Sequence, residues 1–151
     1  MDATRAALTP KLIDSLYVEA MVLADEARAY FDKHGRDDRM ALDPLVRVGF
    51  SCESLKVTTR LMHIVAWLMT QRAVAAGELT AEQARRPERQ LGEAVESDEE
   101  VLEKLPQSAV DLIRSSRDLY ERVRRIEEGS SSEEPPQSPA RSLLNRLQRS
   151  I

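Results

Sequence analysis

The chain has 151 residues, a length that suits one domain of about 100 to 200, and is 42% hydrophobic, 32% charged and 4% aromatic. With five glycines it is poor in the residue that marks turns, so the composition favours helices over strands. A net charge of −4 argues against nucleic acid as a partner, because phosphate binding needs a basic face, and one cysteine allows no intramolecular disulfide, which suits the cytosol.

The first residues, MDATRAALTPK, lack the layout of a signal peptide. The greasiest run, Leu61–Met69, is too short to span a bilayer and contains His63. A soluble cytoplasmic protein is expected.

In chain order, Thr9-Pro10 predicts the start of a first helix, a cap followed by a proline in the first turn. The helix runs from about 10 to 34 and stops at Gly35. Leu12, Ile13, Leu16, Ala20, Leu23, Ala24, Ala27, Tyr30 and Phe31 share one face and form a core seam. Met21 and Val22 lie on the outer side with Val18, as scattered surface residues or as a second contact surface. Residues 36–42 read as a polar connection between antiparallel helices.

The second helix, about 43–76, is the centre of the chain. Asp43 suits the N-cap, Pro44 the first helical position and Gly77 the left-handed residue that closes the C-terminus. At about 100° per residue, Leu45, Val48, Cys52, Leu55, Thr59, Met62, Ala66, Met69, Ala73 and Ala76 fall in one stripe. Val46, Phe50, Val57, Leu61, Ile64 and Leu68 form a second, and together the two cover an arc of roughly 220°, beyond that of a surface helix. The helix is expected to bury both stripes against at least two partners, with Cys52 inside.

Thr80-Ala-Glu-Gln83 has the form of a capping box and predicts a short helix to about Arg86, ended by Pro87. The connector 88–104 carries seven acids against two bases and is expected to be mobile or loosely helical. A third long helix is expected over 106–128, with Ala109, Leu112, Ile113, Ser116, Leu119, Tyr120, Val123 and Ile126 inside. Residues 1–128 then form the domain. From Gly129 a polar, Pro-containing linker leads to a basic amphipathic end, ARSLLNRLQRSI, with Leu143, Leu144 and Leu147 beside three arginines. Such a short helix orders on docking, to a partner, a membrane surface or this chain's own acidic connector.

No catalytic set is present. Phe31 and Arg60 occupy the positions three before the two histidines, where a di-iron bundle needs Glu. The spacings of zinc, phosphate-loop and nucleophile-elbow sites are missing. No enzyme activity, cofactor or metal is expected. The candidate partner surfaces are Met21 and Val22, the set Arg60, His63 and Trp67 on the polar side of the second helix, and Leu143, Leu144 and Leu147 of the tail. Trp and Arg are enriched at protein–protein hot spots, although Trp67 is equally suited to burial by the connector.

The run LIDSLYVEAMVLADEARAYFD (Leu12–Asp32) resembles the first helix of the RcdA family, the regulators of CtrA degradation in alphaproteobacteria. RVGFSCESLKVTTRLMHIVAWLMTQRAVAAGEL (Arg47–Leu79) and LPQSAVDLIRSSRDLYERV (Leu105–Val123) resemble its second and third helices. The likeness covers the three predicted helices, about half the chain, and leaves out the connector 88–104 and the tail 129–151. It implies an all-α three-helix bundle that forms a homodimer and acts as an adaptor for the ClpXP protease. It further implies a CpdR-like response regulator that primes the protease, a further adaptor such as PopA, protein cargo such as CtrA, and a transient stay at the cell pole. The rival expectation is a membrane-associated scaffold whose basic tail lies on anionic lipid.

Overall fold

The computed structural model describes residues 9–132 and Leu147, and the fold over 9–132 is all-α. α1 spans Pro10–Ala29 and starts as the sequence predicts, with the Thr9 hydroxyl accepting the Leu12 N–H at 3.1 Å. It continues as one wider π turn, Tyr30–His34. Gly35 then closes the helix by close approach: its N–H meets the Tyr30 carbonyl at 2.6 Å, and a Cβ there would stand 2.7 Å from that oxygen. The π turn accompanies an aromatic cluster in which Phe31 packs edge-on against Tyr30 and Phe50, centroids 5.2 and 5.3 Å apart. The expected polar connection contains a helical turn instead, α2, Arg36–Met40. Asp37 and Asp38 favour its N-terminal end, and Asp38 also accepts the Tyr30 hydroxyl at 2.8 Å.

α3 spans Pro44–Ala75. Asp43 takes the extended N-cap backbone, but its side chain makes no capping bond, contrary to expectation. The C-terminus follows the sequence closely. Gly77 adopts φ +77°, Glu78 N–H reaches the Ala73 carbonyl at 2.8 Å and Gly77 N–H the Val74 carbonyl at 3.0 Å, the paired closure that a left-handed glycine permits. In α4, Ala81–Ala84, both bonds of the capping box form, at 2.9 and 3.0 Å.

A 3₁₀ turn at Pro87–Arg89 and α5, Glu99–Leu102, punctuate the connector. α6 spans Gln107–Ser132 and runs through Gly129, where the sequence predicts a stop. A single glycine in a solvated helix costs about 1 kcal/mol. Arg124, which pairs with both Glu121 and Glu128, ties the turns just before it. The rest of the expected linker and tail lies outside the described residues, Leu147 excepted.

The three long helices form the bundle. α1 runs antiparallel to α3, so that Asp14 pairs with Arg72 at 2.8 Å at one end and Phe31 meets Phe50 at the other. α6 lies beside both, with Arg122 paired to Glu19 and Arg60 reaching Ser116. Ile13, Leu16, Ala20, Leu23, Phe50, Val57, Ile64, Leu68, Ala109, Ile113, Leu119 and Val123 make the core. The expected inner faces of α1 and α6 are all buried or half-buried.

For α3 the expectation fails on one side. The stripe of Val46, Phe50, Val57, Leu61, Ile64 and Leu68 is inside, but the Cys52 stripe is outside: Leu45 is 87% exposed, Leu55 67% and Met62 66%, and Cys52 is exposed too. The buried arc instead extends to Glu53, Arg60 and Trp67. Apolar residues lie on so much of this helix that their spacing cannot single out the inward face; the connector decides it by covering the polar side.

Candidate functional site

α3 presents two faces with different physics. The inner polar face is a structural clasp. Arg60, 2% exposed, donates to the Ser116 hydroxyl at 3.2 Å, the Val95 carbonyl at 3.1 Å and the Ser97 hydroxyl at 2.6 Å. Burial pushes its guanidinium below the ordinary arginine value, and the nearby Glu53 carboxylate opposes that shift. Glu53, 1% exposed, accepts from Lys56 at 2.8 Å and from the Asp98 N–H at 3.4 Å.

These bonds fasten the acidic connector onto α3. Glu127 accepts the Leu91 N–H at 2.6 Å, the Tyr120 hydroxyl donates to the Gly92 carbonyl at 2.6 Å, and Arg117 holds Glu99 at 2.7 Å. Gly92 lies so close over His63 that a Cβ would meet the ring at 2.3 Å. The connector expected to be mobile or loosely helical is therefore anchored at six residues between Leu91 and Glu99. Its acids did not reveal this; Gly92 and Ser97, small residues within an acidic run, are the signal that sequence reasoning passed over.

Two candidate surface residues are corrected by this arrangement. Trp67 is 3% exposed and Arg60 2%, so neither offers a face to a partner. Both are inside because α6 and the connector lie over the side of α3 that the spacing assigns to solvent. His63 is half-buried beneath Gly92. Met21 and Val22 are exposed as expected, at 38% and 51%. Leu147 is helical and exposed, while Leu143 and Leu144 lie outside the described residues.

The outer face carries the unexpected surface. Leu45, Val48, Leu55, Met62 and Met69 are all more than half exposed along one line of α3. An aligned apolar row of this kind, rather than singly scattered residues, marks an interaction site. Beside it, between α1 and α3, runs a groove of about 650 Å³, walled by Met21, Phe31, Leu61, Met62, Val65 and Met69. Asp25, Arg28 and Asp32 stand at its α1 edge. Methionine walls adapt to varied apolar shapes. Among the described residues no group of three or more His, Cys, Asp or Glu is placed to hold a metal ion, and no helix is long and apolar enough to cross a membrane.

A family model described as "Protein of unknown function (DUF1465)" matches residues 4–151. The chain is also similar to the crystal structure of RcdA from Caulobacter crescentus CB15, with 36% identity over 83% of this chain and 97% of that one and a TM-score of 0.66. No curated protein matches the sequence significantly.

Proposed function

We propose a function from the premise that this chain belongs to the DUF1465 family and, through its 36% identity to the Caulobacter crescentus protein, to the RcdA family. The protein is a non-enzymatic adaptor. It links protein cargo to the ClpXP protease once a CpdR-like response regulator has primed that protease, and the cargo is then degraded. A cell-cycle regulator such as CtrA is the expected cargo, brought in with a further adaptor such as PopA. The work takes place in the cytoplasm, with a transient stay at the cell pole, and needs no cofactor.

The likeness to RcdA over nearly all of that chain's length is the observation that carries the proposal. The physical character of the outer face agrees with it. A rigid bundle with an apolar row along α3 acts by holding partners, and tethering raises the local concentration of cargo to the millimolar range without any bond made or broken by the tether. The same row suits a second copy of the chain, since each large apolar side chain fully buried contributes about 1.5–3 kcal/mol before the cost of association. Met21 and Val22 extend the apolar surface onto α1. The test is reconstitution: ClpXP, the CpdR-like regulator, a candidate cargo and this protein, added or omitted one at a time. Faster cargo loss that requires both the regulator and this protein supports the proposal; rates indifferent to this protein across several cargoes would refute it.

A further inference from the structure

We infer that the cavity between α3, α4 and α6 is a binding site for a free α-amino acid with an aliphatic side chain. The inference goes beyond the adaptor proposal and does not rest on it.

The cavity has a volume of about 270 Å³, just below the roughly 300–1,000 Å³ of sites that take drug-sized ligands. α3 supplies Trp67, Gln71 and Val74, spaced four and three residues apart and therefore on one helix face. α4 lines it with Ala81, Ala84 and Arg85, Gln90 follows the 3₁₀ turn, and Glu127 comes from α6. Trp67, Val74 and the two alanines make an apolar floor, and the remaining four side chains are polar.

Much of this lining is already held in place. The capping box fixes α4, and Trp67 is buried. The Gln90 side-chain N–H donates to the Arg85 carbonyl at 3.0 Å, and one Glu127 oxygen accepts the Leu91 N–H at 2.6 Å. A small molecule entering here orders little of the protein, which favours its binding.

The hydrogen-bonding capacity left over defines the ligand. Arg85 and Glu127 carry opposite charges and border one cavity, yet they form no ion pair with each other. Among the described residues, the Arg85 guanidinium and the Gln71 amide have no hydrogen-bond partner, and Glu127 keeps its second oxygen free. Gln90 keeps its amide oxygen. A simple anion would meet the Glu127 carboxylate, and a simple cation would meet Arg85. Only a ligand with both charges is welcomed by both groups. In an amino acid the carboxylate suits Arg85, the ammonium suits Glu127, and the two amides complete the shell through charge-assisted hydrogen bonds. The apolar floor takes the hydrocarbon side chain.

Trp67 is the one tryptophan of the chain and lines the cavity, so its fluorescence reports occupancy with no other protein present. Titrating the full chain with L-leucine is expected to give a saturable change in emission and a matching calorimetric isotherm, half-saturated at roughly 0.1–1 mM. L-Leucinamide lacks the carboxylate, N-acetyl-L-leucine lacks the ammonium and glycine lacks the side chain; each binds at least about tenfold more weakly. Arg85→Ala removes the preference for leucine over leucinamide. Glu127→Gln, which keeps an acceptor for the Leu91 N–H, removes the preference over N-acetyl-leucine. Arg85 is exposed, so its replacement leaves the helical circular dichroism unchanged. No binding by either readout, binding of any of the three analogues as tight as that of leucine, or an unchanged leucine affinity in Arg85→Ala would overturn the inference.

Discussion

Replacing Arg60 by methionine keeps most of the stem volume and removes the charge and the donor fork. Three hydrogen bonds disappear: those to Ser116, to Val95 and to Ser97, the last at 2.6 Å. Glu53, 1% exposed, keeps Lys56 at 2.8 Å but loses the second cation that stabilises it. Removing one member of a buried charged network costs about 3–5 kcal/mol. Lys56 is 21% exposed and remains as a partner, which places the expected cost at the lower end, about 3 kcal/mol. For a chain of this length that is a fall in Tm of roughly 6–12 °C. The loss is also local. Hydrogen exchange at the amides of Leu91–Asp98 speeds up more than exchange in the α1 and α6 cores, because the connector loses its anchor before the bundle opens. Adding Glu53→Met to Arg60→Met recovers part of the stability, since no carboxylate is then stranded. A Tm change under about 2 °C, with unaltered exchange in the connector, would refute the clasp.

Trp67→Ala lowers stability by about 3–5 kcal/mol in chemical denaturation, as expected of a buried ring and not of a surface hot spot; a midpoint shift below 1 kcal/mol would contradict its burial. Cys52 reacts with a thiol reagent in the folded protein about as fast as in denaturant, because it is exposed on α3. If a second copy binds along that row, the reaction slows as protein concentration rises, and a rate independent of concentration would remove the row as a dimer face. Burial and the Asp38 carboxylate raise the Tyr30 hydroxyl above the ordinary tyrosine value. Its contribution to stability is thus fully present below about pH 10 and is lost as the pH climbs above it. Tyr30→Phe flattens that alkaline fall in Tm, and an identical slope in both proteins would count against the assignment.

Elements with strong local chemistry were legible in the sequence. Thr9-Pro10, the Thr80–Gln83 box and Gly77 each fix a helix end through one or two backbone bonds that nearby residues decide. The inner faces of α1 and α6 were legible because each gathers its apolar residues into one continuous stripe, with only Val18, Met21 and Val22 of α1 left outside it. α3 was not, because its inward direction is set by the connector, a covering segment some forty residues away in sequence. Once Gly92, Val95 and Ser97 lie over His63 and Arg60, the polar side is inside and the Cys52 stripe is left outside. The same inversion hid the candidate site. Trp67 stands among charges on its helix yet lies inside, whereas Leu45, Leu55 and Met62 fall on an apolar stripe that the three-helix core leaves exposed.

The most direct test of the adaptor function is the dependence of degradation rate on cargo concentration in the reconstituted, regulator-primed ClpXP system, with and without this protein. A tether raises the local concentration of cargo and leaves the protease unchanged. The expected result is a lower KM with an unaltered maximal rate, and a decline again when the adaptor is in large excess and cargo and protease are held on separate copies. A maximal rate that rises with this protein at unchanged KM would contradict tethering, and no dependence on this protein at all would contradict the adaptor function itself.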